Sequence, residues 1–306
     1  MNILVFGGNG FIGSHLVDKL LLEGHSVRVF DKNDEHYRLP LKNVDYYLGE
    51  FGNRGLISEA LHDIDIVVHL ISTTVPKTSN DDTVFDVQSN VVESLFLFEQ
   101  CVAKKIKKVI FVSSGGTVYG IPESLPVLEE NSTNPICSYG ICKLTIEKYL
   151  YLFKKLYNLD YVIIRPSNPF GARQNPFGIQ GVISVFLGTI LKNEPIQIWG
   201  SGDIIRDFLY IDDLEEAIYR SIIFNTSSSV FNIASGEGHS LNDLLNIMRE
   251  VTGKEFTVNY SPERKYDVPE IYLDIDKAKN ELNWSPQISL EVGIDYTWNF
   301  VKNITQ

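Results

Sequence analysis

A turn of three glycines between two apolar strands restricts this chain more than any other stretch. Ile3-Leu4-Val5-Phe6 is a continuous apolar run, as a parallel strand covered on both faces requires. Gly7, Gly10 and Gly13 follow at three-residue intervals. Residues 15–23 then place Leu16, Val17, Leu20 and Leu21 at helical spacing before Gly24 stops the helix. Ser26-Val27-Arg28-Val29-Phe30 reads as a second strand, and it ends on Asp31. Such a β–α–β unit lets backbone approach a pyrophosphate at a helix N-terminus. Asp31 is placed to accept hydrogen bonds from ribose hydroxyls. Its charge repels a 2′-phosphate, so NAD is favoured over NADP.

The alternation continues. Residues 46–48, 64–71, 109–112 and 161–164 read as strands, with helices over 57–61 and 86–104 and another after Ser138. This pattern predicts an α/β fold with a doubly wound parallel (Rossmann) sheet, whose ligands bind beyond the carboxyl ends of the strands. Gly7, Asp31, Leu70, Ser113, Ser114 and Arg165-Pro166 fall at such ends. After Asn168 the loops lengthen and are punctuated by glycine and proline. The expected division is an NAD-binding domain over residues 1–168 and a smaller α+β substrate-binding lobe over 169–306. A segment at about 204–236 is expected to return to the main domain.

Ser138-Tyr139-Gly140-Ile141-Cys142-Lys143 puts a tyrosine and a lysine four residues apart, on one face of a helix. A phenol is a poor base at neutral pH, and an ammonium beside it favours the phenolate. The pair would then accept an alcohol proton, as hydride transfer to a nicotinamide requires. Tyr151 and Lys155 repeat the spacing, but inside an apolar helix interior; Tyr139 follows Asn134-Pro135, where a loop enters a helix and can face a cleft.

A net charge of −12 argues against a nucleic-acid or anionic-membrane partner, because both need clustered positive charge. Cys101, Cys137 and Cys142 have no metal-ligand spacing and make no disulfide framework, so a reducing cytoplasm and no metal are expected. No apolar run is long enough to span a membrane, and the N-terminus reads as a strand rather than a signal peptide. Residues 86–104 and 141–157 are rich in Leu, Phe and Tyr on more than one face, which something must cover.

With these features in place, the chain resembles the extended short-chain dehydrogenase/reductases of the nucleotide-sugar epimerase and dehydratase group. The likeness runs from Ile3 to about Trp298. It rests on the Gly7/Gly10/Gly13 turn, Asp31, Ser113-Ser114 ahead of Val118-Tyr119-Gly120, Tyr139 with Lys143, Arg165-Pro166 with Asn168, and Gly200-x-Gly202 ahead of Arg206-Asp207. The resemblance implies that Tyr139 is the catalytic base and that Lys143 holds the nicotinamide ribose. It implies cofactor contacts from Phe11, Ile12, Lys32, Glu50, Phe51, Leu70, Ser72, Asn90, Ser113 and Pro166 as well. Asn168, Arg206 and Arg264 would grip a nucleotide diphosphate, guanidinium groups matching phosphate as planar forks. Thr117, Gln180, Val182, Ile198, Asp267 and Ile271 complete the implied substrate contacts. The two apolar helices would pair with their copies as a four-helix bundle in a homodimer.

One position departs from the family. Its usual serine or threonine, three residues before the valine of Val118-Tyr119-Gly120, is Gly115 here. Ser114 or Thr117 is left to supply that hydroxyl. Dehydratases of the group follow it with an acidic pair, whereas this chain has Gly116-Thr117. The expected activity is therefore a 4-epimerase working through a transient 4-keto sugar, with a UDP-hexose as substrate. An NAD(P)H-dependent 4-ketoreductase of a 4-keto-6-deoxy sugar nucleotide is the alternative, and a non-catalytic NAD-binding regulator a third reading. Ile271, four residues after Asp267, either leaves room for an acetamido group at C2 or is a core residue beside a strand.

Overall fold

The computed structural model describes residues 1–262 and 268–304. Arg264 and Asp267 lie outside the described residues.

The first strand, β1 (Asn2–Phe6), runs into α1 (Phe11–Leu22) and then β2 (Ser26–Asp31) and β3 (Val44–Leu48). Next come α2 (Arg54–Ala60), β4 (Ile66–His69), α3 (Thr83–Asp86), a π-helical turn (Val87–Val92) and α4 (Glu93–Ala103). After these the chain forms β5 (Lys108–Val112), α5 (Gly115–Val118), α6 (Ser138–Tyr157) and β6 (Asp160–Pro166). The second half contains β7 (Asn168–Phe170), α7 (Val182–Leu191), β8 (Ile196–Trp199), β9 (Ile205–Arg206), β10 (Phe208–Tyr210), α8 (Ile211–Ile223) and β11 (Val230–Ile233). It closes with β12 (His239–Ser240), α9 (Leu241–Thr252), β13 (Val258–Ser261), β14 (Glu270–Ile271), α10 (Asp276–Leu282) and α11 (Leu290–Ile304).

Seven strands form one parallel sheet in the order β11-β6-β5-β4-β1-β2-β3. Alternate residues feed opposite faces, as the pleat dictates. Ile3, Val5, Val29, Val68, Ile110 and Ile164 pack on the side of α1 and α8; Leu4, Phe6, Phe30, Val67, Phe111 and Ile163 pack on the side of α2, α4 and α6. Ile3, Leu4, Val5 and Phe6 are all fully buried. Each such side chain contributes ~1.5–3 kcal/mol, which is why this run reads as apolar throughout. The chain leaves β1 in one direction for β2 and β3 and returns on the other side as β4, so a crevice opens at the carboxyl ends of β1 and β4.

Two details differ from the sequence expectation. The expected single helix over 86–104 begins earlier, at Thr83, and contains the π-turn. There Asn90 Nδ2 donates to the Asp86 carbonyl at 3.1 Å, so a side chain competes for a carbonyl of the regular ladder. The short helix expected at 57–61 starts at Arg54, because Asn53 caps it by accepting from the Leu56 N–H.

The smaller sheets lie beyond the strand ends. β9 pairs with β12 and with β14, and β8 pairs with β13. β11 pairs with β6, and α8 packs on α1, so the stretch that makes these two elements lies on the main sheet.

Candidate active site

The glycine turn is built for close approach. A Cβ on Gly13 would lie 2.1 Å from the Gly7 carbonyl oxygen and 2.7 Å from Gly8 Cα, so a side chain there would push α1 off the turn. The helix begins at Gly10 with no side-chain cap and no acidic residue in its first turn. Its first amides, at Phe11 and Ile12, therefore lack intrahelical acceptors and face the crevice with the positive end of the helix dipole. That is the donor set a pyrophosphate needs. Asp31, at the end of β2, is buried; Oδ2 accepts from the Asn9 N–H at 3.1 Å and Oδ1 from the Asn33 N–H at 3.0 Å. Asn9 in turn donates from Nδ2 to the Asn33 carbonyl at 2.7 Å, while its buried Oδ1 has no hydrogen-bond partner. These residues fit a dinucleotide. Gly8 and Asn9 were not singled out from sequence. Gly8 is required because a Cβ there would meet Val29 at 2.7 Å, a contact only the folded β1–β2 pair creates.

Around the crevice, Leu70 sits directly after β4 with its N–H bonded to the Phe6 carbonyl at 3.0 Å. Phe51 is buried, while Lys32, Glu50 and Ser72 are exposed. Asn90 is committed to its neighbours: Oδ1 accepts from the Thr73 N–H at 2.9 Å, and Nδ2 donates to Thr73 Oγ1 at 2.7 Å and Asp86 Oδ1 at 2.8 Å. Ser72, Asp86, Asn90, Tyr139, Cys142, Lys143 and Ile146 line one small cavity, so residues from the loop after β4, α3, the π-turn and α6 converge there.

Tyr139 and Lys143 occupy the first turns of α6. The Lys143 ammonium lies 5.6 Å from the Tyr139 ring centroid and donates to the Val112 carbonyl at 3.0 Å. Burial lowers the Lys143 pKa to about 8. The ammonium was expected to bring the tyrosine down, and here the structure corrects the expectation. Burial dominates and pushes the Tyr139 phenol up, with Cys137 and Asp86 adding to the rise. The opposing influence comes from the Ser114 side chain. Desolvation of the buried phenolate is the larger effect and outweighs the ammonium beside the ring.

Gly115 explains the family departure. A Cβ there would come within 2.5 Å of Leu273 Cδ1, 3.0 Å of the Arg165 carbonyl oxygen and 3.1 Å of the Pro166 carbonyl oxygen. Ser114, directly before α5, has its side chain beside the Tyr139 phenol, close enough to oppose the rise in its pKa. Thr117 Oγ1 is buried with no hydrogen-bond partner. The Ser113 hydroxyl donates to Glu147 Oε1 at 2.5 Å, so its proton is already committed.

On the far side of the crevice, Asn168 is half-buried, with its N–H and Nδ2 bonded to the Asp207 carbonyl at 3.1 and 2.8 Å. Arg206 lies on β9, in register with Ile271 of β14. Ile271 and Ile198 are 2% and 1% exposed and belong to the main apolar cluster, so the core reading of Ile271 has an observation behind it. Gln180 is exposed in the loop before α7, which starts at Val182. Pro166 is buried at the end of β6.

The crevice, glycine turn and Tyr–Lys pair define a dinucleotide-dependent oxidoreductase-type site on a Rossmann sheet. Residues 3–234 match the model of the NAD dependent epimerase/dehydratase family, and the chain belongs to that family. It is similar to the UDP-glucose 4-epimerase of Mycolicibacterium smegmatis, at 33% identity over 100% of both chains. It is also similar to the dTDP-4-dehydro-6-deoxyglucose reductase of Escherichia coli, at 33% identity over 96% of this chain and 95% of that one. The crystal structure of UDP-glucose 4-epimerase with UDP-glucose from Thermotoga maritima superposes with a TM-score of 0.94, at 36% identity over 100% of both chains.

Proposed function

We propose that this protein is an NAD-dependent 4-epimerase that interconverts the C4 hydroxyl configurations of a UDP-hexose. The observation that carries the proposal is the Tyr139 phenol in the crevice, with the Ser114 side chain beside it and the Lys143 ammonium one helical turn away. In this reading Tyr139 would act as a phenolate, the form that the positive charge of bound oxidised NAD favours against the burial that raises its pKa; it would take the O4 proton as C4 is oxidised and return it when C4 is reduced from the opposite face. NAD, held by the glycine turn and Asp31, supplies the hydride acceptor. Ser114, beside the phenol, would orient O4. Lys143 is placed by the Val112 carbonyl to bond a ribose hydroxyl. Asn168, at the start of β7, and Arg206, on β9, are assigned to the diphosphate in this reading, and Arg264 and Asp267 are assigned there from sequence alone. The division at about residue 168 between cofactor and substrate lobes belongs to the same proposal.

The test incubates the protein with UDP-glucose, UDP-N-acetylglucosamine and UDP-glucuronate, adding no NAD beyond what co-purifies. Interconversion of any C4 pair without net cofactor change supports the epimerase. The likeness to the Escherichia coli reductase favours one second reading, a 4-ketoreductase. NADPH consumption only with a 4-keto-6-deoxy sugar nucleotide, and no interconversion, would replace the epimerase with it.

We propose further that two copies pair through α3, the π-turn and α6. Supporting this, Val84, Phe85, Val87 and Val92 and, on α6, Ile141, Tyr151, Leu152, Leu156 and Tyr157 are large apolar side chains left exposed. Among the described residues no helix is long and apolar enough to cross a membrane, and no cluster of ligand-type side chains could hold a metal. The three cysteines are free, which supports a reducing cytoplasm.

A further inference from the structure

Tyr139 and Lys143 are followed at the same spacing on α6 by Glu147, so the three stand on one face at successive turns. Glu147 is 3% exposed and Arg165, on β6, is 4% exposed. Arg165 Nε donates to Glu147 Oε1 at 3.0 Å and its Nη2 donates to Oε2 at 2.6 Å, a planar fork on a carboxylate. Ser113, just past β5, donates to the same Oε1 at 2.5 Å. Arg165 Nη1 donates to the Tyr119 hydroxyl at 2.9 Å, and that hydroxyl donates to Asn232 Oδ1 of β11 at 2.7 Å. One carboxylate on the reactive face of α6 is thus tied to three neighbouring strands of the sheet.

We propose that the Glu147–Arg165 pair is a positioning unit that fixes the rotation and height of α6, and with them Tyr139 and Lys143, against the ends of β5 and β6. A side chain buried only for packing would tolerate an apolar replacement. This one is a charged pair with both carboxylate oxygens used, a costly arrangement that fixes direction as well as contact. The pair also acts on Lys143 through charge. Lys143 is faced by Tyr139, Cys142 and Glu147 on its own helix, Asp86 on α3 and His69 on β4, while Arg165 on β6 is paired with Glu147. Glu147 raises its pKa against the burial that lowers it. Removing that charge, while Arg165 stays cationic, moves Lys143 in one direction only, toward losing its proton sooner.

The proposal builds on Tyr139 and Lys143 being the working pair, so its test is chosen to stand without turnover. NAD-loaded protein carrying ε-carbon-labelled lysine is titrated by NMR, with Lys143→Met assigning the signal. In Glu147→Gln the Lys143 midpoint is expected about one pH unit below wild type. Where a sugar substrate turns over, kcat is expected to fall roughly 10–100-fold at unchanged KM. Arg165→Lys keeps both charges but loses the fork. Its Lys143 midpoint should stay at the wild-type value while kcat falls. Leu150→Ala, a core cavity on the same helix, should melt lower and leave both midpoint and kcat unchanged. An unchanged midpoint in Glu147→Gln, or an equal shift in Leu150→Ala, overturns the proposal. If Glu147→Gln does not fold, wild-type kcat in folded Arg165→Lys overturns it instead. Absence of epimerase activity on every sugar, with the midpoint still shifted, would reject the assigned reaction and leave the positioning role standing.

Discussion

Gly115 and Leu273 are packed so closely that a single Cβ on the glycine would stand 2.5 Å from Leu273 Cδ1. Two carbonyl oxygens, of Arg165 and Pro166, close the other sides. Gly115→Ser would therefore not restore a hydroxyl to the site. It should lower the melting temperature and turnover together, as overpacking typically costs ~1–3 kcal/mol. Ser114→Ala should slow turnover more than Thr117→Ala, because the Ser114 side chain acts on the phenol while Thr117 Oγ1 has no hydrogen-bond partner. Steady-state rates of the three variants beside their melting curves check this, and the reverse ranking hands the role to Thr117.

Tyr139→Phe removes the proton acceptor and leaves the glycine turn and Asp31 intact. NAD and sugar nucleotide should bind nearly as before while turnover falls by ~10²–10⁴-fold. Turnover near wild type would exclude Tyr139 as the base.

Lys143 makes stability depend on pH in a direction set by its burial. Its pKa is lowered to about 8 from 10.5, so between these values the unfolded chain binds the proton that the folded chain has lost. Stability from this group therefore rises as pH increases from about 8 to 10.5, and below that window the buried charge is a cost. Lys143→Met should abolish turnover yet melt higher than wild type at pH 7 in cofactor-free protein, by up to about 3 kcal/mol. The rise with pH should flatten. Denaturant midpoints across the window measure both, and an unchanged slope would remove Lys143 as its source.

Asp31 should make the protein prefer NAD. Its carboxylate is held by the Asn9 and Asn33 amides at the end of β2, where a 2′-phosphate would meet it. Calorimetric titration of cofactor-stripped protein should give NAD the tighter binding, and Asp31→Ser should narrow the gap. Equal or tighter binding of NADP to the wild type would overturn the assignment and raise the reductase reading.

The exposed apolar side chains of α6 should be covered in solution. Small-angle scattering at micromolar concentration is expected to give twice the mass of one chain, and Leu156→Glu should halve it. A monomeric wild type would contradict the pairing.

Much of this was legible in the sequence because it is local. A strand buried on both faces must be apolar throughout, so β1 reads from Ile3-Leu4-Val5-Phe6. Tyr139 and Lys143 share a face because helix geometry alone puts residues four apart together. The glycine turn is visible because its glycines are close in sequence. What the sequence could not fix was long-range. Gly115 is set by Leu273, a residue that reaches it only once the strands are ordered. The Tyr139 phenol is raised by burial that the assembled crevice imposes, against an expectation made from its neighbour alone. Glu147 meets Arg165 and Ser113 only when α6 lies across β5 and β6, and no periodicity announces a partner on another element. Chain chemistry thus determined which groups are present and which helix face carries them. Tertiary packing decided how dry, how close and how strongly charged their surroundings are, because desolvation and contact depend on residues distant along the chain.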